Sequence, residues 1–146
     1  AVGLGVFTVI YYSAFYTMYL KPKHYLNIVI GGVPGSMGPL IAWAAMTNEV
    51  SWAAFLMFAI IFLWTPPHVW ALAIKLKEDY AKAGIPMLPV VKGVDETTRQ
   101  IFIYTIVMVV GTLLLPVLSE VFRYSYVYIG LAIVSGLVFA VWSWLL

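Results

Sequence analysis

Five apolar runs dictate what this chain can become: residues 1–20, 28–47, 52–74, 101–118 and 126–146. Each is close to the roughly 20 residues that cross a bilayer as a helix. Inside hydrocarbon every backbone N–H and C=O needs a partner within the protein, which at this length and pattern leaves helices as the spanning element. A soluble globule of this size could not bury such runs. Of the 146 residues, 64% are hydrophobic and 10% charged, against about 25% charged in soluble domains. The fold class that follows is all-α, a polytopic transmembrane helical bundle forming one transmembrane domain over residues 1–146. The first run lacks the basic leader and cleavage site of a signal peptide. Both ends of the chain fall within apolar runs, so it reads as a piece of a longer protein cut inside helices.

The short connections make sequence neighbours antiparallel neighbours, and charge sets their orientation. The stretches 21–27 and 75–100 lie on one side and hold Lys21, Lys23, Lys75, Lys77, Lys82, Lys92 and Arg99, whereas the other side holds only Arg123. Seven against one is a strong positive-inside asymmetry, so the lysine-rich side is expected to face the cytoplasm, or the matrix in an organelle. Cysteine is absent, which excludes disulfides and thiolate metal sites. A net charge of +2 gives no electrostatic footprint for nucleic acid.

Polar chemistry gathers on that same side. On one continuous helix Lys75, Asp79 and Lys82 would fall at i, i+4 and i+7 with Glu78 beside them, two ammonium groups around two carboxylates. Such a face suits i,i+4 ion pairs. It equally suits Mg²⁺, which takes few protein carboxylates and completes its shell from phosphate and water, with lysines on the same phosphates. The loop that follows, "AGIPMLPV", is stiff and apolar and is expected to lie on a protein surface. In "YTMYLKPKHYLN" the residues Tyr16, Thr17, Lys21 and Lys23 offer hydroxyls and cations without an acid, which suits an anion or, equally, an interfacial anchor. "TPPH" places Pro66 and Pro67 inside a span, where they should kink it and free carbonyls one turn earlier. His68 follows them as an ionisable group within a span, a functional candidate by default, or a group bonded to a freed carbonyl. In "VDETTRQI", Thr97 and Gln100 have capping-box spacing, with Asp95 and Glu96 suited to a helix start. The second run, "IVIGGVPGSMGPLIAW", spaces Gly31 and Gly35 four apart, which permits close helix packing or an opened backbone lining a cavity.

The stretches "YTMYLKPKHYLNIVIGG", "FLWTPPHVWALAIKLKEDYAKAGIPMLPVV" and "QIFIYT" together resemble the haem O synthase branch of the UbiA-type intramembrane prenyltransferases, over about residues 15–105. The resemblance implies nine transmembrane helices around a central cavity, in the prokaryotic cell membrane or the mitochondrial inner membrane. It implies transfer of farnesyl from farnesyl diphosphate to a vinyl group of haem B, giving haem O, with Mg²⁺ as cofactor. Haem B, farnesyl diphosphate and the lipid bilayer are then the implied partners, with haem A synthase or oxidase assembly proteins downstream. By the same resemblance Asp79, with Glu78 weaker, holds the metal, and Lys21, Lys75, Tyr16 and Thr17 hold the diphosphate, with Lys23 and Lys82 second. His68 is the haem-binding candidate, and Phe62, Trp64, Trp70 and Trp43 are candidates for a dry aromatic lining.

Two departures qualify this. The earlier Asn/Asp motif of the family is absent, so the chain, expected to cover about the fourth to eighth helices, should be inactive alone. The wider superfamily carries Asp-x-x-x-Asp where this chain has Leu76 and Tyr80, which leaves Asp79 as the acid. The alternatives are a UbiA-type enzyme with a quinone-precursor or lipid acceptor, and a transporter or scaffold bundle.

Overall fold

The computed structural model describes residues 1–120 and 125–146. Arg123, the lone basic residue expected on the opposite side, lies outside the described residues. All regular structure among them is helical. Helix α1 (Val2–Ile10) continues into a π-helical segment, Tyr11–Leu20. The second span is α2 (Asn27–Ser36) followed by α3 (Gly38–Thr47), and the third is α4 (Trp52–Lys75). Two short helices follow, α5 (Lys77–Lys82) and α6 (Leu88–Val91), then the spans α7 (Val94–Leu118) and α8 (Tyr126–Trp144). Five helices of 19 to 25 residues are thus long and apolar enough to cross a membrane, and the chain is an integral membrane protein.

Each boundary has a local cause. Ser51 caps α4, its hydroxyl accepting from the Ala54 N–H at 3.2 Å. Ser51→Ala should lower stability by about 1 kcal/mol, measurable by unfolding in detergent. The second span breaks at Met37 because Pro39 lacks the N–H that would continue the ladder and restricts Gly38 before it. Pro66 and Pro67 are buried inside α4, which the structure keeps as one helix through them rather than ending it there. Helix α7 begins at Val94, the helix start read in "VDETTRQI", two polar turns ahead of the apolar run that opens at residue 101. Its first turns are polar yet helical, and an apolar count does not see them. Gly93 is the N-cap, at φ 86. The expected capping box does not form: the Thr97 hydroxyl donates to the Gly93 carbonyl at 2.7 Å, and Gln100 Nε2 donates to Glu96 Oε1 at 2.7 Å. Asp95 and Glu96 do occupy the first turn, where they complement the helix dipole.

Packing follows chain order. Helix α4 lies between α7 on one side and α2 and α3 on the other, α8 packs on α7, and the first span packs on α2 and α3. At the lysine-rich end Trp70, Ala73, Ile28, Met87, Leu88 and Ile101 form a buried cluster, and at the opposite end Met37, Leu40 and Ala54 form another. Two glycines of α2 make room for side chains of neighbouring spans. Gly31 faces the ring of Tyr16, and Gly32 faces Phe62 and Thr65, while Gly35 and Gly38 face open space.

Candidate functional site

The third span delivers its charges in two pieces. Helix α4 ends at Lys75, Leu76 leaves helical geometry at φ −101 and ψ 19, and α5 restarts at Lys77. Lys75, Glu78, Asp79 and Lys82 are all exposed. The ion pairs that an unbroken helix would have allowed are absent: among the described residues the one ion pair is Arg99–Glu96, at 3.4 Å. The break at Leu76 sets Lys75 on a different helix from Asp79, and exposed pairs are too weak to resist that. The carboxylates of Asp79 and Glu78 make no side-chain hydrogen bond or ion pair among the described residues. Among the described residues no group of three or more His, Cys, Asp or Glu could hold a metal unaided. Two free carboxylates do fit a hard cation that needs only one or two from the protein.

The loop behind α5 is pinned, as its composition predicts. The Ile85 N–H donates to the Tyr80 carbonyl at 3.0 Å, and Gly84 turns the chain at φ 68. Met87, Leu88 and Pro89 are buried under α4 and α7.

At the end of the first span the π-helical bonding is explicit. The Lys21 N–H donates to the Tyr16 carbonyl at 2.9 Å, and the Thr17 hydroxyl donates to the Tyr12 carbonyl at 2.8 Å. Thr17 therefore has its proton committed to the backbone. Lys21 has an exposed ammonium, and its carbonyl accepts from Asn27 Nδ2 at 3.2 Å. Lys23 lies over the Tyr19 ring, 4.2 Å from its centre. Tyr16 is half-buried, its ring against Gly31 of α2.

His68 projects from the exposed face of α4, stacked on Trp64 at 4.3 Å and 16°. It makes no hydrogen bond to the described residues, so it does not cap the carbonyls freed by the prolines. With Lys75, two turns on, it lines a groove of about 430 Å³ whose other walls include Thr105 of α7 and Phe139 and Trp142 of α8. Sequence reasoning missed these three, because nothing in their spacing says which helix α8 will sit beside.

The expected aromatic lining is dispersed. Trp64 alone accompanies His68. Trp70 is buried away from that groove, Phe62 stacks on Phe58 at 6.1 Å, and Trp43 lines an outer groove with Met46 and Met57. Helical spacing explains this, since Trp64 and His68 are i,i+4 neighbours and Trp70 is not in their row. A second cavity of about 430 Å³ opens on Trp70, between Tyr25, Lys92, Gln100 and Tyr104.

A comparison with known families supplies the deciding observation: the UbiA prenyltransferase family matches residues 1–146, the whole chain. The chain belongs to the UbiA prenyltransferase family. Its curated relatives agree with this. A protein of Trichormus variabilis called protoheme IX farnesyltransferase is 50% identical over 146 residues, which is 99% of this chain and 45% of the relative. Proteins with the same name from Gloeobacter violaceus and a Jannaschia species are 55% and 57% identical, over 77% and 83% of this chain and 35% and 39% of theirs. This UbiA chain thus spans less than half the length of these curated relatives. No solved structure matches it. Membership favours an enzyme over the transporter or scaffold alternative.

Proposed function

We propose that the protein to which this chain belongs transfers farnesyl from farnesyl diphosphate to a vinyl group of haem B, yielding haem O for haem-copper oxidases. The observation that carries this is the 50% identity to protoheme IX farnesyltransferase across 99% of the chain. The lysine-rich end then faces the cytoplasm or the matrix, so that diphosphate arrives from water while the prenyl tail lies in the membrane.

Breaking the allylic C–O bond leaves negative charge on the departing diphosphate, and preplaced cations stabilise that charge. Lys21 and Lys75 are free to do so, with Tyr16 donating from its phenol. Lys23, held over Tyr19, and Lys82 stand further out. Thr17 contributes only if it releases the Tyr12 carbonyl. Asp79, with Glu78 weaker, would hold Mg²⁺, which when bound supplies a Lewis acid to the diphosphate oxygens. The groove of His68, Phe139 and Trp142, with Trp64 stacked on His68, would keep water from the prenyl cation within the membrane. His68 makes no hydrogen bond among the described residues, which leaves a ring nitrogen for haem iron.

The test is turnover by the full-length protein offered farnesyl diphosphate with haem B, a quinone precursor or a lipid acceptor. Haem O as the product is the expected result, and prenylation of another acceptor alone would sink the reading. His68→Ala should shift the absorption spectrum of bound haem. An unchanged spectrum with unchanged affinity removes His68 as an iron ligand.

A further inference from the structure

We infer that Gly31 is a positioning residue for the diphosphate end of the site, because its missing side chain is the seat of Tyr16; this rests on the role of Tyr16 proposed above. The segment Tyr11–Leu20 is a ten-residue π-helix. Such winding is rare, usually confined to single turns, and frequent at functional sites. Here it presents two tyrosines to consecutive residues of α2. The Tyr11 hydroxyl donates to the Ile30 carbonyl at 3.2 Å, and the Tyr16 ring lies against Gly31. A Cβ built on Gly31 would stand 3.0 Å from Tyr16 Cζ and closer still to Cε2 and Cδ2. In that seat Tyr16 is half-buried, with Lys21 one π-turn beyond.

The three atoms nearest to a Gly31→Ala methyl belong to the Tyr16 ring, a side chain that can swing away, rather than to backbone. Alanine also favours the helix over glycine. The substitution should therefore disturb the site and spare the fold. Gly35, one turn on and facing open space, is the matched control.

The experiment uses the full-length protein and reads KM for farnesyl diphosphate, kcat and thermal unfolding. Gly31→Ala should raise KM about tenfold, a factor equal to about 1.4 kcal/mol. Both kcat and the unfolding temperature should stay near the parent, and Gly35→Ala should match the parent throughout. A double-mutant cycle separates seating from general packing. With the ring removed, Tyr16→Ala/Gly31→Ala should be no worse than Tyr16→Ala. A parent-like KM in Gly31→Ala, a parent-like KM in Tyr16→Ala, or the same loss from Gly31→Ala in both backgrounds would each overturn the inference. If Gly31→Ala also lowers the unfolding temperature, the cycle decides. Transfer to an acceptor other than haem would end the functional reading but leave this comparison intact, because KM for the prenyl donor is read in the same way.

Discussion

Asp79→Asn in the full-length protein should reduce farnesyl transfer by about two to three orders of magnitude, the usual cost of losing one preorganised electrostatic group, with folding unaffected. The structure makes this separation clean. The Asp79 side chain is exposed and has no hydrogen bond or ion pair among the described residues, so Asn breaks no contact seen to hold the fold. What Asn loses is the negative charge that a hard cation requires. Glu78→Gln should cost markedly less, because the adjacent carboxylate is assigned the weaker share. Lys75→Ala should fall by a similar order to Asp79→Asn through a different route. Lys75 is unpaired, lies in the last turn of α4 and shares the groove of His68, so its ammonium is free for the diphosphate. The measurement is haem O formed per unit time at saturating substrates, alongside the unfolding temperature. Near-parent turnover in Asp79→Asn removes it from the metal site. Equal losses in Glu78→Gln and Asp79→Asn would mean that the two carboxylates act as one ligand pair.

The sequence made the membrane architecture legible, because hydrocarbon thickness leaves few options for a run of about 20 apolar residues. The spans begun at Trp52 and Tyr126 start where the apolar runs start. At Val94 the apolar run alone starts two turns late, and it is the acidic start "VDETTRQI" that marks where the helix begins. The sequence was silent on Tyr11–Leu20, since an N–H bonded five residues back rather than four leaves no compositional trace. The break at Leu76 was equally unreadable. Leucine is a good helix former, and the reason to stop there is tertiary: the chain must turn so that Met87 and Leu88 can bury against Trp70. For the site, the residue types were visible and their partners were not. Tyr16 meets Gly31, and His68 shares a groove with Phe139 and Trp142, across sequence separations that no local pattern encodes. Thr17 shows the converse. Its type suited an anion, yet the π-helix turned its proton onto the backbone.

Trp70→Ala should be the most destabilising single substitution at the lysine-rich end, at about 3–5 kcal/mol. Trp70 is 1% exposed and packs with Ile28 of α2, Met87 and Leu88 around α6, and Ile101 of α7. It also meets the Tyr104 ring edge-on at 5.5 Å. One side chain therefore ties α4 to three other segments, and no neighbour can close the cavity its loss would leave. Its indole N–H is buried without a hydrogen-bond partner, and an unsatisfied buried donor is itself a cost of about 1–3 kcal/mol. Trp70→Phe removes that donor while keeping an aromatic ring, so it should cost far less than Trp70→Ala, about 1 kcal/mol once the smaller volume is counted. Unfolding in detergent checks both. A Trp70→Phe loss as large as that of Trp70→Ala would show that the N–H holds a buried water or ligand through the Lys92 cavity. The functional consequence follows from the loop. Trp70 anchors Met87 and Leu88, and the Ile85–Tyr80 hydrogen bond ties that loop to α5. Losing the anchor should therefore expose residues 83–93 to protease and lower turnover through Asp79, although Trp70 touches neither carboxylate.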